Sequence, residues 1–148
     1  MNFEPFDTGL IAQRLREQVA GLHSVGGAAD YAAVKELAGF RTPSGYVIFA
    51  EERNTGKVPT APCTAIQDSE VQFGVVLALR HYKELRGEQM HQEARALIGA
   101  VRTALIGWRP PAQGARVVSW VSGKVLDYDA GVLLYADLYQ LPYMLSKE

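Results

Sequence analysis

The sequence predicts an α+β domain: a four-stranded, mainly antiparallel or mixed sheet packed by a long central helix and N-terminal helices, in the order ααββαββ. The central helix ends at the break Gly107-Trp108-Arg109-Pro110-Pro111, where a glycine can turn the chain and two prolines prevent further helix. Two strands follow this break. Arg95 and Arg102 fall on the polar side of the helix, where we expect solvent. The apolar positions that repeat at helical spacing are Met90, Ala94, Leu97, Ile98, Val101, Ala104, Leu105 and Trp108.

The composition is that of one globular domain, which we place at residues 1–148. A net charge of −1 gives no general attraction to nucleic acid or to an anionic membrane. No apolar run approaches the about 20 residues that cross a bilayer, and residues 1–7 do not resemble a signal peptide. Cys63 is the only cysteine, so no internal disulfide can form. We therefore expect synthesis in the cytoplasm, with no membrane partner and no sequence-specific nucleic acid.

Two helices are predicted before the first strand. Asp7 suits an N-cap, and Phe6 before it can pack on Ile11. After the break at Gly26-Gly27, an alanine-rich segment indicates a short helix over residues 28–38.

Four segments have the composition or alternation of strands. The run 45–52 is short, apolar and β-branched, which is typical of a central strand. The run 71–81 alternates in apolar character, and the runs 117–128 and 132–141 form a hairpin around Asp129-Ala130-Gly131. Residues 53–62 form a long polar loop of the kind that often contacts partners.

No catalytic, cofactor or metal site is predicted. His81 and His91 have no metal-ligand spacing around them. The segment 54–57 fails the phosphate-loop pattern on both sides of Gly56-Lys57. Asp127 and Asp129 flank a hairpin turn, where aspartates are common for structural reasons. A small hydrolase or nuclease that uses these two aspartates and a histidine remains the alternative from another functional class.

Self-association is indicated by the last strand, which is apolar on both faces although few helices are available to cover the sheet. We expect Tyr135 and Tyr139 to belong to a subunit contact. Trp120, placed with Val118, Leu126 and Tyr128 by simple alternation, belongs either to the core or to the same contact. In the polar loop, Arg53, Asn54 and Lys57 are the candidate partner contacts.

The sequence from Gly45 to Tyr139 resembles the tail terminators of long-tailed phages and prophages, specifically the Mu-like group related in fold to the lambda tail terminator. The most specific feature is the Gly-Trp-x-Pro-Pro break followed by a Ser-Gly-Lys strand. The segments that carry the resemblance are 46–49, 71–77, 86–87, 94–95, 101–102, 104–111, 121–126 and 133–139.

This resemblance implies a structural protein that forms a ring, typically a hexamer, on the end of the tail tube. The ring would stop tube polymerisation and present the surface for joining to the head. The implied partners are further copies of the chain, the tail tube protein and a head–tail connector protein. The implied location is the host cytoplasm during assembly and then the virion tail. Another tail or head–tail connector component is the alternative within this class.

Overall fold

The apolar alternation of the sequence produces one mixed sheet of five strands with helices packed on it. The computed structural model describes residues 3–56, 65–80, 92–129 and 131–146. The α+β class is therefore confirmed. Along the chain the elements are α1 (Gly9–Gln18), β1 (Ser24–Gly26), α2 (Ala28–Ala33), a 3-10 helix (Leu37–Gly39), β2 (Ser44–Asn54), β3 (Ile66–Arg80), α3 (Gln92–Leu105), β4 (Ser119–Asp129) and β5 (Val132–Ser146).

The spatial order of the strands is β1-β2-β3-β5-β4. β1 is parallel to β2, and every other neighbouring pair is antiparallel. The prediction of four strands was wrong because β1 has only three residues, too few to show any alternation. It pairs with β2 only at Ser44–Tyr46. β3 is the central strand of the five. β2, which the sequence analysis treated as a central strand, lies between β3 and the short edge strand β1.

The described part of the central helix, α3, is shorter than the predicted helix. It spans 14 residues, and the predicted start at residues 88–91 lies outside the described residues. Ile98, Val101 and Leu105 are buried as predicted, whereas Leu97 is only partly buried. The chain leaves the helix at Gly107, whose φ of 81° few other residues adopt. Trp108 therefore lies beyond the helix.

The start of the N-terminal helix differs slightly from the prediction: the cap position is Thr8 and not Asp7, and Thr8 makes no side-chain capping hydrogen bond. The Asp7 carboxylate accepts a hydrogen bond from the Gly9 N–H at 2.8 Å, and Phe6 and Ile11 are both in the core. The predicted alanine-rich helix is interrupted: α2 ends at Ala33 and the 3-10 helix follows. None of the described helices is long and apolar enough to cross a membrane.

The two faces of the sheet carry different cores. We call the face under α1 and α3 the helix-covered face; Phe73, Leu77 and Tyr139 are fully buried there. On the opposite face, Tyr31 and Phe40 pack around Tyr46, with ring centroids 5.6 and 5.8 Å from it. This second cluster covers Val76, Ala78, Val132 and Leu134. The chain's own α2 region therefore covers part of the face that the sequence analysis assigned to another subunit.

A core prediction follows from α3. Leu105 is fully buried beneath the sheet, so Leu105→Ala should lower the free energy of unfolding by about 2–5 kcal/mol. Leu97→Ala should cost less, because that side chain is only partly buried. Arg95→Ala, on the exposed side of the same helix, is the matched control. Urea unfolding of the three variants provides the measurement, and equal losses at Leu105 and Arg95 would contradict the observed helix phase.

Candidate assembly surface

The longest exposed apolar feature among the described residues is the edge strand β4. All eleven of its residues are exposed, although its neighbour β5 is largely buried. Its outer edge has no strand partner in the described sheet. Large apolar side chains that would normally be buried project from it: Trp120, Val121, Val125, Leu126 and Tyr128. An exposed edge with this composition is suited to contact with another protein.

Two bulges set the direction of the β4 side chains. The pairing register with β5 shifts between Trp120 and Ser122 and again between Val125 and Asp127. Each bulge adds one residue and reverses the subsequent alternation. The predicted grouping of Trp120 with Leu126 is therefore wrong, since Leu126 lies at the second bulge. The residues that share the helix-covered face are Trp120, Gly123, Val125 and Tyr128.

A buried carboxylate fixes β4 to the rest of the domain. Asp137 of β5 is only 1% exposed. Arg102 of α3 holds it with two hydrogen bonds, from Nε to Oδ2 at 2.9 Å and from Nη2 to Oδ1 at 2.8 Å. The Trp120 Nε1–H donates to the Oδ1 atom at 3.0 Å, and the Tyr139 hydroxyl donates to Oδ2 at 3.3 Å. We call Arg102, Trp120, Tyr135, Asp137 and Tyr139 the aspartate cluster.

The cluster is stabilised by charge as well as by hydrogen bonds. The hydrogen bond to Asp137 raises the pKa of the Arg102 guanidinium, which keeps this cation fully charged. Burial, together with the Asp137 carboxylate, raises the pKa of the Tyr139 hydroxyl, so it stays protonated and can donate. The guanidinium also lies over the Trp120 ring, with its carbon 4.9 Å from the ring centroid. Helix α3, β5 and β4 are thereby joined at one point.

Gly123 allows β4 to approach the aspartate cluster closely. A Cβ atom at this position would overlap the Tyr135 hydroxyl and lie 2.5 Å from Asp137 Oδ1. Any larger residue would therefore force the side chains of the aspartate cluster, or β4 itself, to shift. This contact gives a physical reason for the glycine in the Ser-Gly-Lys strand, which the sequence resemblance singled out without explaining.

The fold brings together three of the six residues predicted to contact partners, Trp120, Tyr135 and Tyr139, in the aspartate cluster, whereas Arg53 and Asn54 lie elsewhere. Arg53 and Asn54 belong to the end of β2 and not to a loop. Arg53 forms an exposed ion pair with Glu70 at 3.4 Å, and the Asn54 amide donates to the Gln67 side chain at 2.8 Å. Lys57 and the rest of the predicted loop up to residue 62 lie outside the described residues.

The predicted aromatic contact residues have separate roles. Tyr139 is fully buried and stacks on Phe73 with ring centroids 5.4 Å apart, so it supports the sheet from inside. Tyr135 is half-buried, and its hydroxyl accepts a hydrogen bond from Arg102 Nη2 at 2.9 Å. Trp120 remains 44% exposed while its ring nitrogen is held by Asp137. Of the three, Trp120 has the most surface available to a partner.

Sequence reasoning missed Arg102 and Asp137. It placed Arg102 on the solvent side of the helix, but the side chain crosses to the sheet. The available signal was Asp137 itself, the one charged residue in the run from Val132 to Leu141. A lone charge in a strand that is apolar on both faces requires a partner of opposite charge.

No catalytic arrangement is formed by the described residues. Asp127 and Asp129 are exposed on the same side of β4, and the Asp127 carboxylate accepts a hydrogen bond from the Tyr128 N–H at 2.8 Å. His81 and His91, the partners considered for them, lie outside the described residues. Within residues 3–56, 65–80, 92–129 and 131–146, no group of three His, Cys, Asp or Glu side chains is placed to hold a metal ion.

The family of the chain follows from comparison with known proteins. The family model described as "Phage tail terminator protein" matches residues 1–148. The chain belongs to the phage tail terminator family. This confirms the resemblance drawn from the sequence and makes the protein a structural component of a phage tail.

A solved structure agrees with this phage tail terminator fold. A chain from the structure described as "Virion of native gene transfer agent (GTA) particle" is similar with a TM-score of 0.58 and 15% sequence identity. The alignment covers 90% of this chain and 91% of that chain. At this identity the likeness shows the fold alone. No match was found among curated proteins.

The aspartate cluster yields a stability prediction. Arg102→Met keeps the aliphatic stem but leaves the buried Asp137 carboxylate without its cation, so unfolding free energy should fall by about 3–5 kcal/mol. Arg95→Met on the exposed side of α3 should change it by less than about 0.5 kcal/mol. Chemical denaturation measures both. The double variant Arg102→Met/Asp137→Leu should lose less than the two single losses added together; simple additivity would contradict direct coupling.

Glu52 yields a prediction about pH. Its Oε1 atom is buried without a hydrogen-bond partner among the described residues, and burial raises the pKa of Glu52 above 4.5. The folded state therefore favours the neutral acid, and the stability that protonation provides is lost as pH rises through the folded pKa. Glu52→Gln should raise the melting temperature at pH 7, and the gain should shrink toward pH 4. Glu51→Gln at the exposed neighbouring position is the control in thermal denaturation, and a gain that grows on acidification would contradict the assignment.

Proposed function

We propose that this protein forms a closed hexameric ring on the end of a phage or prophage tail tube. There it stops polymerisation of the tube protein and offers the surface to which a head–tail connector protein joins. It would act without catalysis and without a cofactor. It would assemble in the host cytoplasm and remain in the virion tail. The phage tail terminator family supports this role.

The observation that carries the proposal is the exposed strand β4. Its eleven residues are exposed, yet the aspartate cluster holds the strand against α3 and β5. A surface that is already ordered loses little conformational freedom when a partner binds. An apolar edge that is both exposed and fixed therefore suits a protein whose role is assembly.

The contact with the tail tube is proposed for the segment from Arg53 to Pro62. Arg53 and Asn54 lie at the far end of β2, where their exposed side chains stand clear of the core. A polar contact at one end of the sheet would leave β4 available for neighbouring subunits. β4 would serve neighbouring subunits, and Arg53 and Asn54 at the end of β2 would lie where the tube contact adjoins a subunit contact.

Purified tail tubes provide the test. The protein should bind tube ends in electron micrographs and stop further growth when monomeric tube protein is supplied. Val125→Lys on β4 should abolish the ring and raise the protein concentration needed for capping at least tenfold. Ile106→Lys, at an exposed apolar residue that follows α3 and does not belong to β4, is the matched control and should retain both activities.

A second arm separates ring formation from tube binding. Removing residues 58–61 should leave subunit association intact while weakening attachment to tube ends. Failure of the unmodified protein to bind tube ends at any concentration would overturn the terminator role. Binding to a head–tail connector complex but not to tubes would instead identify a connector component.

A further inference from the structure

We propose that neighbouring subunits join by continuing the sheet, with the outer edge of β4 on one copy pairing with the outer edge of β2 on the next. This inference deepens the proposed ring by naming the two surfaces that join its copies. It rests on the proposed self-association, and it concerns residues Ile48–Asn54 and Ser119–Asp129.

Both edges of the described sheet are incompletely paired. β1 covers β2 only at Ser44–Tyr46, so the outer edge of β2 from Ile48 to Asn54 has no partner strand in the described residues. At the other side of the sheet, no strand among the described residues pairs with the outer edge of β4. Unpaired N–H and C=O groups along an edge are a template for another strand. The chain thus presents two different edges, each long enough for a normal strand pairing.

The two edges are compatible in direction. β2 is antiparallel to β3, β3 to β5, and β5 to β4, so β4 runs antiparallel to β2. A second copy placed beside the first in the same orientation would therefore offer β2 to β4 as an antiparallel partner. Antiparallel pairing forms straight hydrogen bonds and needs no crossover connection. The geometry also keeps the helix-covered faces of both copies on one side.

The charges on the two edges also lie on one face. Glu51 and Arg53 of β2 pair with β3 residues on the face opposite the helices. Lys124 and Asp127 of β4 lie on that same face, opposite Ala136 and Leu134 of β5. In a continued sheet these groups would meet across the junction, where opposite charges stabilise cross-strand pairs. In antiparallel pairing, the register that places Glu51 opposite Lys124 puts Arg53 opposite Ser122, whereas the register that places Glu51 opposite Asp127 would bring like charges together.

The bulges in β4 limit which strands can pair with its outer edge. Bulges and charged side chains are devices that protect edge strands from aggregation. β4 has two bulges, and β2 has one between Phe49 and Glu51. A flat edge of a foreign strand would fit poorly beside them. The edge of a second copy, which is itself bulged and carries both signs of charge, is the occupant that we infer.

Cysteine cross-linking tests this junction. Cys63 is the only native cysteine, so Cys63→Ser gives a clean background. Lys124→Cys and Glu51→Cys are then introduced in separate full-length chains. The two purified proteins are mixed while dilute and then concentrated, with and without tail tubes. A short bis-maleimide is added to cross-link nearby cysteines. β2 and β4 of one chain are three strand spacings apart, about 14 Å, so a reagent of shorter reach reports contacts between copies.

The mixture should give a cross-linked dimer at least tenfold more abundant than either variant alone. Arg95→Cys on α3, mixed with either variant, is the control and should give only the background. A chain carrying both Glu51→Cys and Lys124→Cys should give a ladder of products that ends at the number of subunits in the ring. Edge pairing of unlike surfaces would produce this ladder because each copy has one partner on each side.

Each other outcome is informative. Cross-linking of Lys124→Cys with itself, with a ladder that stops at two, would show two-fold pairing of β4 with β4 and overturn this inference. Capping of tubes without cross-links in the mixture would also overturn it while leaving the proposed function intact. Cross-links in the mixture without capping would support the junction and remove the terminator role.

Discussion

The buried carboxylate of Asp137 is the constraint on which the arrangement of helix, sheet and edge strand depends. Removing a charge from water is costly unless a partner and hydrogen bonds compensate for it. Arg102 supplies two hydrogen bonds from α3, and Trp120 supplies one from β4. The position of one charge therefore fixes a helix and an edge strand against β5. Gly123 completes the arrangement because a Cβ atom at this position would overlap the side chains of the cluster as they stand.

This arrangement explains how a strand with no buried residue can remain ordered. β4 gains little from burial, since each of its eleven residues is exposed. Its stability must come from backbone pairing with β5 and from the hydrogen bond that anchors Trp120. Because β4 is held by β5 and by the hydrogen bond from Trp120 to Asp137, its other apolar side chains and its outer edge stay exposed. The polar cluster is thus the structural means by which the fold maintains an exposed apolar edge.

The sequence predicted those parts of the structure that follow from a pattern repeated along one stretch of chain, and it did not predict contacts between distant stretches. The alternation in β3 and the helical period of α3 are repeated patterns, so the burial of Phe73 and Leu105 followed from them. β1 has three residues and no pattern, and the bulges in β4 reset an alternation that was read as continuous. The Arg102–Asp137 pair joins positions that are 35 residues apart. No local period reports such a contact, although the lone charge in β5 indicated that a partner was needed.

The aspartate cluster would also influence whether edge pairing produces a ring or a fibre. A head-to-tail contact forms a ring only if the rotation between neighbours closes after a whole number of copies; otherwise copies add without limit. Edge pairing transmits the orientation of β4 directly to the next subunit, so uncertainty in that orientation would accumulate around the assembly. The aspartate cluster removes this freedom by tying β4 to α3 as well as to β5. A buried ion pair is weak evidence for added stability, but in this position it would specify the angle between subunits. Its contribution would then be to closure of the ring, in addition to the fold of one chain.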